Sequence, residues 1–198
     1  MLTITNEDNM DLMSRYPDKH FDLAIVDPPY GIGISSNPVR QKHTKKTWDN
    51  EIPQDKYFNE LFRVSKNQII WGGNYFDLPP TQGFFIWDKK QPHDFSLAMC
   101  EYAWSSIQKP AKMWSLSIHK EQNKIHPTQK PIELYKWLLE NNAKKGDKIL
   151  DTHLGSGSIA IACHDYNFDL TACELDKEYF DKAMQRINNH TAQIKMFQ

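Results

Sequence analysis

Residues 148–163 read "KILDTHLGSGSIAIAC", an order of short apolar strand, glycine turn and helix. Ile149 and Leu150 have the branched, apolar character of a strand buried inside a parallel sheet. Gly155 and Gly157 allow a tight turn and close approach of backbone to a ligand, and a helix is expected over residues 158–164. A Gly-Ser-Gly alone also suits a plain strand-to-helix turn, so the surrounding sequence must carry the reading.

The same alternation extends outward in both directions. Short runs rich in branched or aromatic residues predict strands at residues 3–5, 22–26, 68–71, 84–87, 102–105, 148–150 and 170–173. Between them, Tyr57, Leu61, Phe62 and Ser65 mark one helix, and Leu134, Trp137, Leu138 and Leu139 a second, with Pro131 suited to its first turn. A last helix over residues 176–187 carries Tyr179, Phe180, Ala183 and Ile187 on one face. This pattern predicts an α/β fold: an open, doubly wound, Rossmann-like sheet that binds ligands beyond the carboxyl ends of its strands. Two loops leave strands in that way, "DPPY" at residues 27–30 and "DTHLGSGS" at residues 151–158.

A chain of 198 residues suits a single domain over residues 1–198. The first residues lack the basic-then-apolar plan of a signal peptide, and no apolar run approaches bilayer length. Cys100, Cys163 and Cys173 make an odd set without Cys-x-x-Cys spacing, which points to neither a disulfide framework nor a zinc site. A cytoplasmic protein without a membrane partner or metal is expected. Net charge is -1, so any nucleic-acid surface has to be local. Residues 39–48, "VRQKHTKKTW", supply one candidate in Arg40, Lys42, Lys45 and Lys46, which otherwise form a solvated loop.

Glu174 ends the next predicted strand about twenty residues beyond the glycines, where a carboxylate accepts hydrogen bonds from ribose hydroxyls. No Lys-Ser/Thr follows the glycines, which disfavours a triphosphate. An adenosine-bearing cofactor without a polyphosphate fits, and S-adenosylmethionine is one.

"DPPY" acquires a chemical meaning beside such a cofactor. The exocyclic amine of adenine or cytosine is a poor nucleophile because its lone pair is delocalised into the ring. Two acceptors, the Asp27 carboxylate and the Pro28 carbonyl, would hold the amine hydrogens and let the nitrogen pyramidalise, on a backbone stiffened by proline. Tyr30 offers a face for a flipped-out base. The alternative is a strand stop that packs a tyrosine.

With "DPPYGI", "HPTQKP" (residues 126–131) and "ILDTHLGSGS" in that order, most of the chain resembles the DNA amino-methyltransferases with β-class motif order. The resemblance implies a circularly permuted seven-stranded sheet with helices on both faces. Residues 1–125 would form the catalytic half, including a mobile basic loop over residues 31–50, and residues 126–198 the cofactor half. It implies catalytic and target-base roles for Asp27, Pro28 and Tyr30. Asp151, Gly155, Ser156 and Gly157 would surround the methionine part of S-adenosylmethionine, with Glu174 on its ribose and Asp8 at its adenine. Thr128 and Lys130 would approach from the other side, Lys130 near the cofactor carboxylate. The partner would be DNA, a homodimer is compatible with the family, and restriction-modification or a phage are among the settings.

Two departures matter. The family's Asp-Pro-Phe is here Asp151-Thr152-His153, so His153 either packs on the cofactor or faces water. Only residues 90–125 separate the catalytic half from "HPTQKP", so a large target-recognition region is lacking and recognition is expected to be short or relaxed, with phosphate contacts from the basic loop. In the family an aspartate at position 27 favours adenine N6 over cytosine N4. Methylation of RNA adenine or of a protein glutamine are alternatives, the latter disfavoured by motif order, and a non-catalytic binding module is disfavoured by the intact motifs. The tryptophans at 71, 87, 104 and 114 read as core or interface, and Gly72 to Tyr75 as either target-pocket lining or a turn.

Overall fold

The computed structural model describes residues 1–33, 46, 49–94, 98–117 and 124–195. Its strands are β1 (Leu2–Thr5), β2 (Phe21–Val26), β3 (Ser65–Trp71), β4 (Phe84–Asp88), β5 (Cys100–Ser105), β6 (Lys112–Ser115), β7 (Lys148–Asp151) and β8 (Asp169–Cys173). Its helices are α1 (Asn9–Ser14), α2 (Asp55–Val64), α3 (Ile132–Asn142), α4 (Ser158–Asp165) and α5 (Lys177–Lys195). Among the described residues the strands make one sheet in the order β1-β8-β7-β2-β3-β5-β4-β6. Strand β5 runs antiparallel to β3 and β4, and all other neighbours are parallel.

The sheet therefore has eight strands where seven were expected. The additional strand, β6, is a four-residue edge with three exposed positions, too short and too wet to show an apolar alternation. Helix α1 was equally unmarked: it is six residues long and rests on a cap, the Asp8 carboxylate accepting from the Met10 N–H at 2.7 Å. Two boundaries also move. Ser65 opens β3, its hydroxyl donating back to the Leu61 carbonyl, and Pro131 is the extended N-cap of α3 and precedes its first turn.

Strand β2 is buried on both faces. Leu23 and Ile25 pack into one core with Leu134 and Leu138 of α3 and Ile159 of α4, while Ala24 and Val26 meet Leu12 of α1 and Tyr57 and Leu61 of α2. Truncating one such fully buried leucine to alanine costs about 2–5 kcal/mol. Helix α2 presents Tyr57, Phe58, Leu61 and Val64 at helical spacing to that second core. Helices thus cover both faces, as a parallel sheet requires.

The register matters most for function. Leu23 and Ala24 of β2 pair with Ile149 and Leu150 of β7. From β2 the chain crosses through α2 to β3 on one side, and from β7 through α4 to β8 on the other. The carboxyl ends of β2 and β7 therefore flank the crevice where the connections diverge, the position at which open α/β sheets take ligands. Among the described residues no helix is long and apolar enough to cross a membrane, and no group of three or more His, Cys, Asp or Glu side chains could hold a metal.

Candidate active site

Asp27 leaves β2 at the head of this crevice. Its Oδ1 accepts from the Tyr30 hydroxyl at 2.6 Å, and its Oδ2 pairs with Lys130 Nζ at 2.5 Å. Lys130 also reaches Glu101 on β5 at 3.0 Å, and Glu101 in turn holds Lys89 at 2.6 Å. Two carboxylates and two ammonium groups thus alternate along one chain. Burial works to raise Glu101, but the two lysines hold it down at about 2. Asp27 has one lysine and the added repulsion of Glu101, and burial pushes its carboxyl above the usual range. Burial also opposes the charge of Lys130, yet its two carboxylate partners keep its ammonium above the ordinary lysine value. Asp27 is the less compensated of the two acids.

The turn after Asp27 is held from outside. The buried Asp49 carboxylate accepts from the Tyr30 and Gly31 N–H groups at 2.8 and 3.1 Å. The Tyr30 ring stacks on Tyr75, centroids 5.0 Å apart and planes 12° apart. Gly72, at φ +69°, lies against the same ring, and a β-carbon there would come within 2.2 Å of it. Position 72 therefore needs glycine on two counts, conformation and space.

Two cavities open on either side of Asp27. The first, of about 380 Å³, is lined by Asp27, Pro28, Tyr30, Tyr75, Gln91 and Glu101, among others. The second, of about 780 Å³, extends over the glycine loop and takes in Asp8, Tyr57, His153, Gly155, Ser156 and Glu174. Asp27, Pro29, Thr128, Gln129 and Lys130 line both. The expected residues are thus divided. Asp27, Pro28 and Tyr30 meet in the first cavity, and Asp8, Thr128, Lys130, Gly155, Ser156 and Glu174 in the second.

Asp151 and Gly157 stand behind the second cavity. Asp151 is buried, accepts from the His153 N–H at 3.0 Å, and is pushed up to about 8 by burial. Gly157, at φ +75°, caps α4 and faces Ile187 of α5. Glu174 turns one oxygen to the Gly155 N–H at 2.8 Å and the other to the Asp176 N–H at 2.9 Å, which fixes the carboxylate at the cavity rim. Burial raises it and these backbone donors oppose the rise. His153, in the family's phenylalanine position, lies edge-on to Tyr57 at 5.3 Å and near the Asn9 amide at 3.2 Å. Burial lowers it to about 3, so it is a neutral ring in the cavity wall. Thr128 sits against His126, its hydroxyl 3.0 Å from Nδ1.

Arg40, Lys42 and Lys45 lie outside the described residues. Lys46 is described, and its Nζ pairs with Asp176 at 2.7 Å and Glu178 at 2.8 Å over the Tyr179 ring. Its charge is already met by α5 and the residue before it. Gly72, Asn74 and Tyr75 line the first cavity. Trp71, Trp87 and Trp104 are buried, and Trp114 packs on the core edge. Sequence reasoning missed Asp49, Lys89, Gln91 and Glu101. None belongs to a motif, and only the register of β4 and β5 brings Lys89 and Glu101 together.

The DNA methylase family (N6_N4_Mtase) matches residues 86–185. The type II methyltransferase M.HpaI of Haemophilus parainfluenzae is 32% identical over 226 residues, covering 89% of this chain and 71% of that protein. The type II methyltransferase M2.MboI of Moraxella bovis is 25% identical, covering 94% and 87%. In fold, the M1.HpyAVI-SAM complex superposes with a TM-score of 0.64 at 20% identity, covering 94% of this chain and 100% of that one. The cytosine-N4-specific PvuII DNA methyltransferase reaches 0.66 at 12% identity, covering 98% and 92%. The family match over half the chain, together with the 32%-identical relative, makes this chain a member of the N6/N4 DNA methylase family.

Proposed function

We propose that this DNA methyltransferase methylates the N6 amine of adenine, flipped from the duplex into the smaller cavity. The observation that carries the reading is the shared wall: Asp27 belongs to both cavities, so an amine held there faces whatever fills the larger one. The larger cavity suits S-adenosylmethionine in its donor set, with the Glu174 carboxylate for ribose hydroxyls, Asp8 for adenine, and the backbone of the glycine loop. When bound, that cofactor supplies an electrophilic methyl group.

The protein's own contribution is alignment and charge. Asp27 and the Pro28 carbonyl take the two amine hydrogens, which lets the nitrogen lone pair leave conjugation with the ring. To do so Asp27 exchanges the Tyr30 hydroxyl for the amine and keeps Lys130. The Tyr30 ring, fixed by Gly72 and Asp49, holds the base plane. As the nitrogen gains its methyl group it sheds a proton, and Asp27, raised by burial, is a suitable acceptor.

Asp at position 27 supports adenine over cytosine. Recognition is short or relaxed, because residues 100–105 and 112–115 of the span before "HPTQKP" are spent on β5 and β6. Labelled S-adenosylmethionine and plasmid DNA, followed by digestion to nucleosides and mass spectrometry, test the reading. N6-methyladenine is the expected product. N4-methylcytosine would reassign the base, and unmodified DNA would overturn the activity.

A further inference from the structure

Gln91 is the one residue of the smaller cavity that is buried and leaves both side-chain polar atoms without a hydrogen-bond partner among the described residues. It is 6% exposed, and neither Oε1 nor Nε2 is satisfied. A buried amide without partners costs about 1–3 kcal/mol for each group left unpaired, so a fold retains one where a ligand completes it. The backbone delivers it deliberately: Lys90, just before it, adopts φ 53°, with its N–H tied to the Asp88 carboxylate at 2.9 Å. A left-handed lysine at the end of β4 turns the chain into the cavity instead of continuing the strand. The other polar groups of this wall, Lys89 and Glu101, are already engaged with each other.

Resting on the proposed amine methylation, we infer that Gln91 reads the ring nitrogen beside the aminated carbon of the flipped base, donating from Nε2. Adenine and cytosine share that edge: an amine with two hydrogens next to a ring nitrogen that only accepts. Guanine and thymine present the reverse, a carbonyl next to a ring N–H. Asp27 and the Pro28 carbonyl accept from the amine, and the Gln91 amide donates to its neighbour, so the pocket selects aminated bases by a donor and acceptor pattern. A site built to hydrogen-bond a group rejects the analogue that lacks it, because its own buried partner is then left unpaired. Gln91 acts here as a specificity-determining residue, and its effect should be carried by the ring nitrogen alone.

The test is a double-mutant cycle between protein and base. The site methylated by the purified full chain in plasmid DNA is placed in an oligonucleotide, with the target base intact or lacking that ring nitrogen, as 1-deazaadenine or 3-deazacytosine. Wild type and Gln91→Leu are compared in kcat/KM, with Gln91→Glu as a companion that replaces the amide donor by an acceptor-only carboxylate. Deleting the ring nitrogen should cost wild type roughly 10- to 100-fold, and Gln91→Leu should lose a similar factor on the intact base and nothing further on the deaza base. Gln91→Glu should be worse than Gln91→Leu on the intact base only. Unchanged cofactor binding and thermal midpoint certify that the variants are folded. Equal rates for wild type and Gln91→Leu, or losses that multiply independently, overturn the inference while wild-type methylation leaves the proposed function standing. A wild-type chain that methylates no DNA base overturns both.

Discussion

Asp27 follows β2 and Asp151 ends β7, the parallel neighbour of β2; Asp151 is buried, Asp27 is about a fifth exposed, and each opens a loop that begins with aspartate. Their surroundings differ in one respect that decides their chemistry. Asp27 has a full cation at 2.5 Å and a phenol at 2.6 Å, and it lines both cavities. Among the described residues Asp151 has one backbone N–H and no cation in contact, and burial carries it to about 8. The first is a cation-paired carboxyl, and the second, carried to about 8, is largely a neutral strut at neutral pH. Position at a strand end sets where a carboxylate points, and its partners set what it does.

The comparison is broken most directly at its reactive side. Asp27→Ala should lower methyl transfer by ~1,000-fold or more while cofactor binding stays within a few-fold, since the second cavity keeps its other walls. Titration calorimetry beside a transfer assay separates the two effects. Lys130→Met removes the cation shared by Asp27 and Glu101, leaving two largely enclosed acids with Lys89 beside Glu101 alone. Stability should fall by about 3–5 kcal/mol in urea titrations, with less loss at acid pH where the orphaned acids take protons. Glu174→Ala should weaken cofactor binding roughly 10- to 100-fold with a smaller effect on turnover at saturation, an unchanged dissociation constant being the contrary outcome.

The other side of the comparison is sharpened by pH. A carboxyl raised from its unfolded value to about 8 in the folded state binds its proton more tightly when folded. Its contribution to stability is therefore full below the unfolded value near 4 and is lost as pH rises toward 8, by up to ~1.4 kcal/mol per unit. Asp151→Asn, which preserves the neutral shape, should flatten the decline in urea midpoint between pH 5 and 8 relative to wild type. The smallest effect belongs to Lys46→Ala. A pair this close to the surface contributes about 0–1 kcal/mol, and because Asp176 and Glu178 already meet its charge, the salt dependence of DNA binding should change less than for Lys45→Ala.

The apolar runs made the sheet legible. Ile149–Leu150 and the residues of β2 announce themselves because both faces are buried, whereas β6 and α1 escaped because an exposed edge and a capped single turn and a half carry no periodic signal. Asp27 and Glu174 were legible from their place after a strand. Gln91, Glu101 and Asp49 were not, since their meaning lies in a register and in a loop return that no local pattern encodes. Lys130 stood out through its motif, but its pairing with Asp27, across 103 positions, is one that only the closed fold displays.

The strand order has a consequence for how the molecule is made. β2 is flanked by β7, and β1 by β8, so both early strands wait for the last two to be synthesised. A nascent chain that ended before residue 148 would carry the whole "DPPY" turn beside an unpaired, largely apolar strand edge, with nothing to close over it. Such long-range pairing folds slowly and exposes aggregation-prone edges on the way. Chaperone demand should therefore fall on the stretch translated before residue 148, and the crevice beside Asp27 comes into being only when the β7-α4-β8 unit docks against β2.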